Sequence, residues 1–208
     1  MSEELVLYTN PMSRGRIARW MLEETGVPYR TEIMTFGNTM KGADYLAVNP
    51  MGKVPAIRHR DTIVTECAAI CAYLADTFPE KELAPRPEER GPYYRWMFFA
   101  AGPLESAVTN RALGFVTPAE KARMAGYGSF GDVMDTLEKA VTEKPFIAGD
   151  RFTAADVYVG SHIGWGLGIG AIEKRPAFVD YAARVANREG YRRATMLDDE
   201  AMKAMQAA

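Results

Sequence analysis

At 208 residues and 23.0 kDa the chain has room for one large domain or two small ones. Its 48% hydrophobic and 25% charged residues exclude wholesale disorder and collagen-like structure. The balance of 25 Lys plus Arg against 27 Asp plus Glu lacks the positive excess that drives counterion release from nucleic acid, so no nucleic-acid partner is expected.

The opening MSEELVLYTN carries two glutamates and a short apolar run, unlike a secretory leader with its basic start, and a cytoplasmic location is the expectation. Leu5 to Tyr8 predict a strand, and Asn10, Pro11 and Ser13 punctuate its end. Ile17, Trp20 and Met21 recur at helical spacing, and Thr25-Gly26 stops that helix before Pro28. Residues 29–34 predict a second strand, parallel to the first because a strand–helix–strand crossover is right-handed. A short helix around 43–47 follows. Residues 54–58 and 62–64 are β-prone and separated by a short charged turn, which predicts an antiparallel hairpin, and a long helix starts after Thr65. Residues 1–79 thus form a small α/β domain.

Residues 80–91 read as a linker, since the stretch PEKELAPRPEERGP around them holds four prolines and many charges but no hydrophobic period. Residues 92–208 read as all-helical, with Pro103 kinking an early helix. Thr117-Pro118-Ala119-Glu120 and Thr153-Ala154-Ala155-Asp156 both carry the residues of a capped helix start. The longest uncharged stretch, VYVGSHIGWGLGIGAI, holds five glycines and falls short of the roughly 20 residues of a spanning helix, so no membrane association is expected. Its GLGIGA segment follows no strand and is no dinucleotide fingerprint. Cys67 and Cys71 stand four apart on one helix, where side-chain directions make a bridge awkward. His59 and His162 have no spaced ligand set around them, and no metal is expected.

Ser13 places a hydroxyl where the first loop enters the first helix. Amide groups and the positive dipole end favour an anion there, and a thiol pKa falls below its reference of about 8.5 in such surroundings. The same serine would serve as an ordinary N-cap. Four segments, LYTNPMSRGRIARWMLEETGVPY, NPMGKVPAI, TECAAICAYL and FIAGDRFTAADVYVG, come in the order found in the cytosolic glutathione S-transferases, bacterial serine-type members included, and the chain resembles that family over nearly its whole length.

The resemblance implies a thioredoxin-like N-terminal domain followed by an all-helical C-terminal domain. Glutathione would be the co-substrate, and its thiolate would attack a small hydrophobic electrophile. Ser13 would donate to the thiolate, with Tyr8 as the competing donor and Asn10 as a weaker third. Val54-Pro55 resembles the cis-proline element that presents backbone groups to the cysteinyl unit, and Lys53 would meet the glycine carboxylate. Glu66 and Cys67, at the start of the helix after the hairpin, would take the γ-glutamyl group, although the family usually has serine where this chain has Cys67. Met12, Phe36, Phe99 and Trp165 would line an acceptor pocket, and Glu105 would reach a partner subunit in a homodimer. Glutathione-dependent peroxide reduction or isomerisation, and non-catalytic binding or scaffolding on the same fold, are the alternative functions.

Overall fold

The computed structural model describes residues 4–207. The chain divides into two compact units, one running through Glu82 and resuming at Asn187, the other spanning Leu83–Ala186. In the first, β1 (Leu5–Thr9), α1 (Gly15–Thr25), β2 (Arg30–Ile33), α2 (Ala43–Leu46), β3 (Ala56–His59), β4 (Thr62–Thr65) and α3 (Cys67–Thr77) succeed one another. The sheet order is β2-β1-β3-β4. β1 runs parallel to β2 and antiparallel to β3, and β3 and β4 form the antiparallel hairpin. Leu5, Val6 and Leu7 are all buried, as a central strand covered on both faces requires. α1 ends on Gly26, whose φ of 65° is cheap only for glycine and lets its N–H reach the Leu22 carbonyl. This is the thioredoxin-like arrangement that the family resemblance implied.

In the second unit, α4 (Arg90–Phe99), a π-helical turn (Ala100–Leu104) and α5 (Glu105–Ala112) form one interrupted rod, followed by α6 (Phe130–Glu143), α7 (Ala154–Gly168) and α8 (Pro176–Ala186). Pro103 lies inside the π turn, where a widened turn accommodates a residue that can neither donate to the ladder nor pack against the preceding carbonyl. α4 begins at Arg90, inside the predicted linker, and that segment also holds the 3-10 turn Pro87–Glu89. Leu83 is buried and its carbonyl accepts from Ala154 N at 2.8 Å. α7 is apolar on nearly all sides and correspondingly buried from Ala154 to Gly160, which makes it the core helix of this unit.

One of the two expected caps forms as read. Thr153 caps α7, and Asp156, wholly buried, accepts from Thr153 N at 2.8 Å, Ile147 N at 2.7 Å and the Tyr181 hydroxyl at 2.7 Å. Burial pushes its carboxyl above the usual range, and those donors oppose the shift. The Thr117 cap does not form. The helix there is a 3-10 turn, Ala119–Met124, and the Thr117 hydroxyl lies 3.0 Å from the Tyr127 hydroxyl instead. A capping box outside the two expected, Ser129 with Asp132, starts α6.

The last helix, α9 (Glu189–Ala207), belongs to the first unit and packs along α1. Arg19 is only 4% exposed although charged, and its Nε donates to Asp198, 0% exposed, at 2.8 Å. Arg16–Asp199, Glu23–Arg193 and Glu24–Arg188 each add a contact at 2.7 Å, and the four pairs run antiparallel between α1 and the stretch from Arg188, just before α9, to Asp199. Among the described residues no helix is long and apolar enough to cross a membrane.

Candidate functional site

The strand register decides where the site residues emerge. Glu32, Tyr8, Ala56 and Thr65 form one row across the sheet. The loop after β1, the segment before β3 and the turn after β4 therefore all leave the sheet at the same end. These three segments carry Ser13, Lys53-Val54-Pro55 and Glu66-Cys67.

In the first segment, Asn10 is fully buried. Its Nδ2 donates to the Met34 carbonyl at 2.7 Å and its Oδ1 accepts from Met12 N at 2.8 Å, which ties the end of β1 to the end of β2 and folds the loop back. The Asn10 carbonyl accepts from both Ser13 N (3.0 Å) and Ser13 Oγ (2.7 Å). Ser13 Oγ in turn accepts from Gly15 N at 2.9 Å, so the half-buried hydroxyl sits on the first turn of α1. Tyr8 points elsewhere. It packs with Met34, Met40, Tyr45 and Ala56, its ring 5.6 Å from that of Tyr45, while the next strand residue, Thr9, takes the α1 side beside Gly15.

The second segment contains a cis Val54–Pro55 bond. The carbonyl of Lys53 just before it accepts from Tyr45 Oη at 2.7 Å and Asn49 Nδ2 at 2.8 Å, so two buried side chains hold the approach to the bond. Gly52 has φ 57°, and a Cβ there would stand 2.6 Å from the Met40 carbonyl oxygen, so only glycine fits. Burial is the main reason that the Tyr45 phenol is pushed up to about 12. Lys53 itself is exposed and Val54 half-buried. Neither Tyr45 nor Asn49 was singled out from the sequence. Their four-residue spacing ahead of Pro50 is a local signal, but its target became visible only with the fold.

In the third segment, Glu66 holds φ 65° and ψ 120°, a sparsely populated conformation for a residue with a side chain. It is exposed and immediately precedes α3. Cys67, the first residue of that helix, is buried, and its Sγ donates to the Arg14 carbonyl at 3.3 Å. The thiol thus joins the starts of α3 and α1. Both cysteines are free, and burial pushes the Cys71 thiol well up.

Of the residues expected to line an acceptor pocket, Met12 and Phe36 in the first unit and Trp165 in the second are more than half exposed, while Phe99 is half-buried against Trp96. The second unit has a recess of about 310 Å³ lined by Val108, Arg111, Ala112, Ile169, Gly170 and Ala171. Glu105 accepts from Thr109 at 3.2 Å and lies 3.7 Å from His162. No cluster of three or more potential metal ligands occurs among the described residues.

Residues 12–77 match the family model for the glutathione S-transferase N-terminal domain. Glutathione S-transferase GstB of Escherichia coli K12 is 31% identical over 152 residues, covering 68% of this chain and 73% of the relative. Glutathione S-transferase GstA of Escherichia coli O157:H7 is 30% identical over 131 residues, and there the match spans 64% of the relative's length, just under two thirds. A sphingomonad glutathione S-transferase solved in complex with glutathione superposes with a TM-score of 0.76 at 27% identity, covering 93% of this chain and 98% of that one. With the sheet order, the cis bond and the shared sheet end already in place, these matches give the same answer as the sequence motifs: the chain belongs to the glutathione S-transferase family.

Proposed function

We propose that this protein binds glutathione at the common sheet end of its first unit and transfers the tripeptide's thiolate to a small hydrophobic electrophile. The observation that carries the reading is the convergence of three anchors with complementary chemistry. Amides at the start of α3, with Glu66 beside them, suit the γ-glutamyl carboxylate and ammonium group. The cis Val54–Pro55 backbone suits the cysteinyl unit as an added strand, and Lys53 suits the glycine carboxylate. The start of α1, with Ser13, suits the sulfur. The complex of the sphingomonad relative with glutathione supports the same ligand.

In this reading Ser13 exchanges its bond to the Asn10 carbonyl for one to the thiolate, lowering the thiol pKa without forming a covalent intermediate. The thiolate then forms a carbon–sulfur bond as the electrophile's leaving group departs with the electron pair, or as an epoxide or enal takes up a proton. Tyr8 is the less favoured donor because it packs against Tyr45 and Met34. Cys67 contributes its backbone N–H to the γ-glutamyl site, its thiol being engaged with Arg14. The protein works as a homodimer in the cytoplasm.

Calorimetric titration with glutathione, followed by conjugation assays over aryl halides, epoxides, enals and hydroperoxides, tests the reading. Binding with turnover on at least one class is expected. Failure to bind glutathione overturns it, and turnover on hydroperoxides alone reassigns the chemistry to peroxide reduction.

A further inference from the structure

We infer that Asp199, on the C-terminal helix, is a positioning residue for the thiolate site, acting through Arg16 on the Pro11 carbonyl. The inference rests on the reading that the Asn10–Ser13 loop holds the glutathione sulfur. One guanidinium makes both connections: Arg16 Nε donates to Pro11 O at 2.6 Å, and Nη2 donates to Asp199 Oδ1 at 2.7 Å. The guanidinium is planar with its donors in a fixed fork, so an anchor on Nη2 sets the direction in which Nε points. Asp199 is that anchor.

Pro11 lies between the two residues that build the turn. Its neighbour Asn10 supplies the carbonyl that accepts from Ser13 twice, and Met12 N returns to Asn10 Oδ1. Fixing the Pro11 carbonyl therefore fixes the Pro11–Met12 peptide plane, whose N–H is the one that returns to Asn10 Oδ1, one residue before Ser13. Asp199 is itself held in register, because the adjacent Asp198 is buried against Arg19, and Glu23–Arg193 and Glu24–Arg188 continue the pairing along α1. The carboxylate and the loop carbonyl are 188 positions apart in sequence and one side chain apart in space.

The Arg16–Asp199 pair is 34% and 44% exposed, and a pair so open to water adds little to global stability. Its loss is expected in the geometry of the site rather than in the fold. The test uses the full chain. Asp199→Asn is expected to unfold at the wild-type denaturant midpoint, to exchange the Met12 and Ser13 amide protons faster without any ligand, and to raise the thiol pKa of bound glutathione read by ultraviolet difference titration. Turnover at saturating glutathione is expected to fall about tenfold, within the hundredfold that a small misplacement can cost. Asp199→Glu restores most of it. Arg16→Lys, which keeps the charge but lacks the fork, reproduces the loss, and combining it with Asp199→Asn adds no further loss. An unchanged thiol pKa and unchanged amide exchange in Asp199→Asn overturn the inference, as do fully additive effects of the two substitutions. If the wild type binds no glutathione, the proposed function fails instead, and the amide-exchange comparison still decides whether Asp199 sets the loop. Should Asp199→Asn fail to fold, the pair is a stability element and the positioning role is refuted.

Discussion

Gly15 is where the structure makes its most demanding local statement. A Cβ added there would stand 1.9 Å from Thr9 Oγ1, 3.1 Å from Thr9 Cβ and 3.0 Å from Ser13 Oγ. Thr9 is fully buried at the end of β1, so it has no free space to retreat into. Overpacking of this kind costs about 1–3 kcal/mol, while replacing glycine by alanine in a helix returns up to about 1 kcal/mol. A contact as short as 1.9 Å puts the cost at the upper end of that range, so Gly15→Ala is expected to destabilise the protein by about 2 kcal/mol, the first turn of α1 shifting to relieve the contact. Thr9 Oγ1 has no hydrogen-bond partner among the described residues, so Thr9→Ala removes a buried polar group along with a methyl and is expected to be close to neutral. In the Thr9→Ala background the new methyl at position 15 enters the space vacated, and at least half of the cost should disappear. Urea unfolding of the four proteins in this cycle measures the coupling directly. Wild-type stability of Gly15→Ala, or an equal penalty in both backgrounds, would refute the close approach of strand and helix on which the placement of Ser13 depends.

Ser13→Ala should raise the thiol pKa of bound glutathione and slow conjugation by at most about 2–4 kcal/mol of barrier, the range for a lost oxyanion donor; stopped-flow kinetics and difference spectroscopy check both, and an unchanged pKa moves the role to Tyr8 or to the backbone. Tyr45 titrates at about 12 in the folded protein against an ordinary phenol value of 10.0, so the stability it contributes is full below pH 10 and is lost as pH rises through about 12. Tyr45→Phe should therefore show a shallower fall in stability over that window, measured by denaturant unfolding in alkaline buffers, and an unaltered slope would assign the alkaline loss to other groups. Asp156→Ala leaves the buried N–H groups of Ile147 and Thr153 without their acceptor, and at about 1–3 kcal/mol each the expected loss is about 2–6 kcal/mol by calorimetry or denaturant unfolding. A loss below about 1 kcal/mol would mean that water or a rearranged Thr153 replaces the carboxylate.

Where a feature was legible in the sequence, its cause was local. Leu5 to Tyr8 read as a strand because they form a short apolar run of β-prone residues, and Thr153 with Asp156 announced a helix start because an N-cap and its partner lie three residues apart. The hairpin, read at 54–58 and 62–64 and observed at Ala56–His59 and Thr62–Thr65, and the crossover from β1 to β2 followed from segment length and turn residues in the same way. Ser13, Pro55 and Glu66 were proposed from motifs that resemble those of the family, and the fold brings the segments that carry them to one end of the sheet. Thr117 shows the limit of that kind of signal, since a hydroxyl placed for capping went to the phenol of Tyr127, ten residues on.

The amino-acid order by itself determined most of the elements and their handed connections, since each depends on dihedral preference, side-chain period or capping within a few residues, while the three proposed anchors were named by the family resemblance of their motifs. Only the tertiary structure decided that α9 returns to α1 rather than remaining with the helices before it, that Arg19 finds Asp198 across 179 positions, and that Arg16 stands between Pro11 and Asp199. Nothing local marks those residues, because a charged side chain has the same sequence signature whether it faces water or a partner. Which of the two it meets depends on where the whole chain runs.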